Sequence, residues 1–199
     1  AHLSFVDEVE DNNVDAPFTM ACWVKNLWSG ASNRGTLWGK GNPAAGTTTL
    51  EYRMFAGENR IYVDLVDGTA TSSSNYNRTY WQAGQNSFPV NSTDWIHLVF
   101  TYDGVTGSAL KLYRDSVSYL HYSNGGYSFG GMEDTSGTLD FGRMQDSTSY
   151  GLNGNICQVI FWKNWVATQR DVDYLYAGAA AHRDPLKGAQ NYSGSSYVV

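Results

Sequence analysis

Between Trp95 and Val117 the chain reads WIHLVFTYDGVTGSALKLYRDSV, and this stretch narrows the fold more than any other. Ile96, Leu98, Phe100 and Tyr102 alternate with His97, Val99 and Thr101, the period of two that a half-buried strand requires. Asp103-Gly104 and Thr106-Gly107 follow, where Asp can bond its own backbone and Gly accepts positive φ without steric cost. Leu110, Leu112 and Tyr113 then resume a strand. The stretch predicts an antiparallel hairpin with one face in a core, and each of its residues has a structural use, so it specifies architecture and not chemistry.

Strands of this kind recur along the chain. FTMACWVK (Phe18 to Lys25) alternates, with Pro17 at its start where a missing N–H does least harm. GTLWGKGNPAAGTTTLEYRMF reads as strand, Gly/Pro loop, strand, and Arg60 to Leu65 is another short strand. Leu3 to Val6 reads as a first strand and Leu139 to Arg143 as a late one. In GLNGNICQVIFWKNW, alternation sets Cys157, Val159 and Phe161 against Ile156, Gln158, Ile160 and Trp162, and predicts a central strand covered on both faces. ATQRDVDYLYAG is the single helix candidate: Thr168 is the N-cap, Asp171 stands three residues on, Val172, Leu175 and Tyr176 share a face, and Gly178 closes it. The tail, 179–199, is small and polar but ends in Tyr197-Val198-Val199, which suits an edge strand. With 15% aromatic residues, 21 glycines and only 16% charged residues among 199, the chain suits a single all-β domain with tight turns and little helix.

Composition also excludes partners. Thirteen Lys and Arg against nineteen Asp and Glu give a net charge of −6 with no basic cluster, so nucleic acid is not an expected partner. No run approaches the roughly 20 apolar residues that span a bilayer, and AHLSFVDEVED lacks a signal-like start, so a soluble domain without membrane insertion is expected. Cys22 and Cys157 make no metal site by themselves. They leave two readings open: a disulfide closing a long loop, or two buried thiols acting as small apolar side chains. Asn77-Arg78-Thr79, Asn91-Ser92-Thr93 and Asn191-Tyr192-Ser193 match the N-glycosylation pattern, which so Asn-, Ser- and Thr-rich a chain also produces by chance.

Two stretches escape the strand pattern. From Thr69 to Asp94 periodicity lapses over a length unusual for a connection in a compact domain, the mark of a binding loop. It sets Tyr76, Tyr80, Trp81 and Phe88 among Asn75, Asn77, Arg78, Gln82, Gln85 and Asn86, the mixture of flat rings and amides that stacks on and hydrogen-bonds to sugars. The same rings would also serve to cap the end of a sandwich. The second stretch, SYLHYSNGGYSFGGMEDTSG, is likewise polar and aromatic.

In order, the blocks FTMACWVK, TLWGKGN, WIHLVFTYDG with LKLYRDS, and LDFGRM with GLNGNICQVIFWKNWVATQRDVDYLYAG resemble the laminin-G-like and pentraxin branch of the concanavalin A-like lectin/glucanase superfamily. The resemblance covers most of the chain to Gly178. It implies a two-sheet antiparallel jelly-roll sandwich with one short helix near the C-terminus: a domain over 1–178, and a C-terminal tail or edge strand over 179–199. The chain departs from the family at Ser116, where Gly is usual after the hairpin Asp, and at Asn155 to Gln158, where an acidic pair is usual.

The superfamily contains glycosidases, lectins, adhesion modules and virion proteins, so site residues must decide the function. Glucanases carry alternating carboxylates on one strand; this chain has no Glu-x-Asp-x-x-Glu, and Glu8, Glu10 and Asp11 fall on an N-terminal turn. His2, His97, His121 and His182 form no triad and read as ordinary surface or strand histidines. Pentraxin resemblance implies calcium held after the LDFG strand, where this chain has Met144-Gln145-Asp146. Met144 offers no hard oxygen and the later carboxylate near Tyr150 to Leu152 is missing, so a paired-calcium site is not expected. One weaker calcium ion held by Asn42, Gln145 and Asp146 is the remaining metal expectation, with Glu133 and Asp134 a second pair. The leading expectation is a non-enzymatic binding module that recognises glycans or an extracellular surface. Tyr76, Tyr80 and Trp81 would stack on the ligand, and Asn77, Arg78 and Gln82 would direct it. The alternatives are a structural or adhesive subunit, such as a virion decoration domain whose rings pack on another subunit of an oligomer, and a glycoside hydrolase. Each non-enzymatic reading places the domain outside the cell, at a cell surface or on a virion.

Overall fold

The computed structural model of the protein describes residues 16–25, 35–41, 50–57, 60–66, 76–80, 94–104, 110–119, 122–123, 132, 139–143, 151–181 and 197–198. The strands are β1 (Phe18–Lys25), β2 (Gly35–Gly41), β3 (Leu50–Gly57), β4 (Arg60–Val66), β5 (Tyr76–Tyr80), β6 (Ile96–Tyr102), β7 (Lys111–Arg114), β8 (Val117–Tyr119), β9 (Tyr122–Ser123), β10 (Leu139–Phe141), β11 (Asn155–Lys163) and β12 (Tyr197–Val198), with one helix, α1 (Gln169–Ala181). They form two antiparallel sheets, β12-β11-β1-β6-β7-β8 (sheet I) and β10-β2-β3-β4-β5-β9 (sheet II). The architecture is the two-sheet sandwich with one C-terminal helix that the resemblance implies.

The core lies between the sheets, and alternation decides which side chains enter it. Phe18, Met20, Cys22 and Val24 of β1 and Ile96, Leu98, Phe100 and Tyr102 of β6 meet Tyr52, Met54, Val63 and Leu65 of sheet II, all buried. Phe18 is the aromatic hub: its ring centroid lies 5.3 Å from Tyr52, 5.5 Å from Phe161, 5.6 Å from Phe100 and 5.7 Å from Tyr102. Tilted pairs at such distances add to the burial of their area.

Strand β11 departs from simple alternation. Its register with β1 advances three residues, Ile160 to Cys157, while β1 advances two, Ala21 to Trp23. The bulge falls at Gln158, whose φ is +48°, and the extra residue shifts the alternation by one. Ile156 therefore joins Val159 and Phe161 against the core, while Cys157 pairs in register with Trp23 on the other face. This corrects the grouping of Cys157 with Val159 and Phe161. Both cysteines are free thiols, which settles the alternative left open above; burial, then the neighbouring Cys157 thiol, pushes Cys22 up to about 12.

The outer face of sheet I is covered by α1. Val172, Leu175 and Ala167 pack with Ala21, Val99 and Tyr113 in a second apolar cluster. The helix starts as expected: Thr168 Oγ1 and its N–H both donate to the Asp171 carboxylate, at 2.7 and 2.9 Å, and the Asp171 N–H returns to Thr168 Oγ1 at 3.4 Å. That reciprocal pattern satisfies backbone donors that have no intrahelical partner. The helix does not stop at Gly178 but runs to Ala181, because a glycine inside a helix costs only about 1 kcal/mol and its neighbours are alanines. The link from β11 is pinned by Thr19, whose hydroxyl donates to the Trp165 carbonyl and accepts the Ala167 N–H, both at 2.9 Å.

The β7–β8 turn explains the departure at Ser116. Asp115 and Ser116 have φ of +48° and +70°, the pair of positive angles that tight hairpin turns need and that glycine supplies most easily. Here contacts offset the strain: Asp115 Oδ1 accepts the His97 N–H at 2.9 Å, Ser116 Oγ donates to the Asp173 carboxylate, and Gln169 Nε2 donates to the Ser116 carbonyl at 2.7 Å. Of the tail, β12 pairs along β11 through Phe161↔Tyr197 and Ile160↔Val198, an edge strand of sheet I.

Candidate binding face

Residues 76–80, within the run that sequence periodicity leaves as one long connection, form β5. The sequence YNRTY hides this because every residue is polar or amphipathic, so no apolar rhythm marks the strand. Register places positions 78 and 80 opposite Asp64 and Tyr62 of β4, and position 76 opposite Val66. Positions 77 and 79 stand opposite Leu65 and Val63, both core residues. Of the candidate ligand positions, 76, 78 and 80 therefore register with the outward row of β4 and 77 with its core row. Trp81 and Gln82 lie outside the described residues.

On its other flank β5 pairs with β9, Thr79 with Ser123 and Tyr80 with Tyr122. The two aromatic and amide-rich stretches, separate in sequence, thus meet in neighbouring strands at one edge of sheet II.

Further in, the same side of sheet II carries residues that pattern analysis did not single out. Arg53 and Asp64 are register partners, and the Arg53 Nε and Nη2 both reach Asp64 Oδ2 at 2.8 Å. The Arg53 guanidinium also lies 4.6 Å from the Phe55 ring centroid, and Phe55 stacks on Tyr62 at 4.8 Å and 7°. Phe55 is therefore covered by a cation on one side and a ring on the other. A separate ion pair, Lys40 Nζ to Glu51 Oε2 at 2.7 Å, belongs to the core side of the sheet, where the register partners of Lys40 are the core residues Tyr52 and Leu139. All of these side chains are buried, Asp64 completely. Each pair contributes little net stability relative to an apolar pair, but removing one partner takes a close counter-charge from a buried charge.

Chemically, this leaves the two carboxylates Glu51 and Asp64 committed to cations, a poor arrangement for a general acid. His97 is buried as well, 4.9 Å from the Trp23 ring and 6.0 Å from Tyr176 of α1. Its Nδ1 has no hydrogen-bond partner among the described residues, and burial pushes the imidazole down to about 4, so it is neutral at physiological pH.

The calcium candidates Asn42, Gln145 and Asp146, like Glu133 and Asp134, lie outside the described residues. The β2–β10 ladder pairs Lys40 with Leu139 and Trp38 with Phe141, so Gly41, which leads to position 42, and Gly142, which leads to 145 and 146, stand at opposite ends of it. Among the described residues no group of three or more His, Cys, Asp or Glu side chains could hold a metal ion.

The sequence model of the laminin G-type domains, described as the concanavalin A-like lectin/glucanases superfamily, matches residues 3–172. The chain belongs to that superfamily. Solved structures similar to this laminin G-like domain include the heptameric SAP-like pentraxin of Limulus polyphemus, at 13% identity and a TM-score of 0.55 over 94% of this chain and 82% of that one. The binding domain of botulinum neurotoxin serotype G matches at 14% identity and a TM-score of 0.60, over 88% of this chain and 40% of that one. The serotype D ligand-binding domain, solved in complex with N-acetylneuraminic acid, matches at 14% identity and a TM-score of 0.55, over 84% and 38%. The laminin G-like domain thus spans about two fifths of the neurotoxin domains. At these identities the likeness is one of fold. No curated protein sequence matches the chain. Among the described residues no helix is long and apolar enough to cross a membrane.

Proposed function

We propose that this laminin G-like domain is a non-enzymatic, extracellular binding module that recognises glycans through the β5–β9 edge of sheet II. The observation that carries the reading is the pairing of Tyr80 with Tyr122, which joins two stretches rich in rings and amides on one edge. Tyr76, Tyr80 and Trp81 stack on the sugar, and Arg78 and Gln82 direct its hydroxyls; Asn77 is left out of the set, because its position in the ladder is opposite the core residue Leu65. The neurotoxin domain solved with N-acetylneuraminic acid supports a sugar as the ligand class. Two observations support binding without catalysis: the absence of a glucanase carboxylate motif from the sequence, and the ion-paired state of Glu51 and Asp64.

A glycan array probed with the protein, in chelator and in excess calcium, tests the reading. The expected result is a restricted set of hits whose affinity falls on Tyr80→Ala and on Trp81→Ala. No hit on a broad array, or hits indifferent to both substitutions, would remove it. Calcium at Gln145 and Asp146 is an accessory part of the proposal, without Asn42, since β2 and β10 leave their ladder at opposite ends; it is checked by melting temperature: a rise in excess calcium over chelator is expected, and its absence dismisses the ion without touching the glycan reading.

A further inference from the structure

An exposed surface lies elsewhere on the molecule, on the helix side of sheet I. Lys25 is the register partner of Asn155, and the pairing of Val24 with Ile96 brings Lys25 level with Trp95. Three adjacent strands therefore end in one row, Asn155–Lys25–Trp95. Val24, Ile96 and Ile156 point into the core, so by alternation the row faces outward. The next row in, Trp23 and His97, is closed over by Tyr176, whose ring stacks on Trp23 at 5.9 Å and 17°. The row is thus a shelf at the sandwich rim with an aromatic wall behind it.

Its side chains are available. Among the described residues Trp95 is one of the few large apolar side chains left open, 36% exposed, and Asn153, Gly154 and Asn155 are all exposed. Lys25 Nζ lies 5.8 Å from the Trp95 ring centroid, and exposed Asp94 adjoins it in sequence. Successive strands stand about 4.8 Å apart, so the row spans roughly 10 Å, the size of one or two pyranose rings.

From this arrangement we infer that the shelf is a second carbohydrate site, distinct from the β5–β9 edge, that takes a pyranose unit. The C–H face of the sugar lies against the indole of Trp95. The Lys25 ammonium donates to a hydroxyl or carboxylate oxygen, and the Asn155 amide both donates and accepts, the complementarity a hydroxyl requires. An indole, an ammonium and an amide in line on the solvent side of a sheet have no packing role that demands all three.

Saturation-transfer NMR on the intact chain tests this with galactose, methyl mannoside, N-acetylglucosamine and galacturonate as probes. Transfer to at least one sugar is expected, with affinity reduced about fivefold or more by Trp95→Ala and by Asn155→Ala. Lys25→Met, a surface change that keeps the stem, selectively weakens galacturonate if the ammonium takes a carboxylate, and weakens the neutral sugars equally if it takes a hydroxyl. No transfer to any of the four sugars overturns the inference, as does binding unchanged in all three variants. Binding lost on Tyr80→Ala but kept on Trp95→Ala overturns it too, and assigns the sugar to the β5–β9 edge.

Discussion

Replacing His97 by Leu separates one titration from all the others in the domain. The imidazole is 3% exposed, between Trp23 and Tyr176, and burial lowers its pKa from 6.5 to about 4. Above pH 6.5 it is neutral in both folded and unfolded chains and contributes no pH dependence. As the pH falls below 6.5 the unfolded chain takes up a proton that the folded one refuses, so stability declines until the folded pKa is passed. The full loss is about 3 kcal/mol, and about 2 kcal/mol of it is spent between pH 7.5 and pH 5. Asp115, whose carboxylate accepts the His97 N–H, Arg114 beside it, at 3.3 Å, and Asp173 on α1 are present in both proteins, so their contributions cancel in the difference. Urea unfolding of wild type and His97→Leu at the two pH values is the assay. The wild type is expected to lose about 2 kcal/mol more than the variant between them, with near-equal stability at pH 7.5, where Leu also removes the unpartnered Nδ1. Parallel losses, or an imidazole that titrates near 6.5 by NMR in the folded protein, would refute the reasoning.

Other substitutions probe separate links. Thr19→Val leaves the Ala167 N–H and the Trp165 carbonyl without the hydroxyl that serves both, and should lower the unfolding free energy by about 2–3 kcal/mol in denaturant titration. Gly178→Ala sits in a helix with nothing within 4 Å of its new Cβ and should raise it by about 0.5–1 kcal/mol. Gly142→Ala meets equally open space, but at φ +76°, and should lower it by about 1 kcal/mol, by strain alone. Arg53→Met removes both 2.8 Å contacts that the guanidinium makes to the completely buried Asp64 carboxylate, and should cost about 3–5 kcal/mol, with partial recovery in Arg53→Met/Asp64→Leu; equal damage in single and double variants would show that the charge is not the cause.

Sequence and structure agree where a residue's surroundings are local. The β6 alternation needs only its own seven residues, and the Thr168–Asp171 cap only four, so both are legible. The bulge at Gln158 is not, because nothing in CQVI distinguishes a shift of register from plain alternation until β1 lies alongside. Strand β5 escapes for another reason: its neighbours β4 and β9, not its own hydrophobicity, hold it in the sheet. Arg53 and Asp64 stand at alternating positions that sequence alone assigns to a solvated face, since a charged residue is seldom buried unless paired. Their pairing appears only once β3 and β4 are in register. The candidate sugar-facing residues Tyr76, Arg78 and Tyr80 were recognisable by type, but which side of the strand each occupies, and that Asn77 is not with them, follows from the ladder.

The Arg53–Asp64 bond has a consequence for inheritance. Because each charge is paired by the other in that dry setting, change at one position is expected to accompany change at the other, so these two sites should exchange together among relatives, charges swapped or both lost to aliphatic side chains. Tyr76 and Tyr80, one strand over, are tied instead to the sugar they are proposed to hold, and should diverge with it.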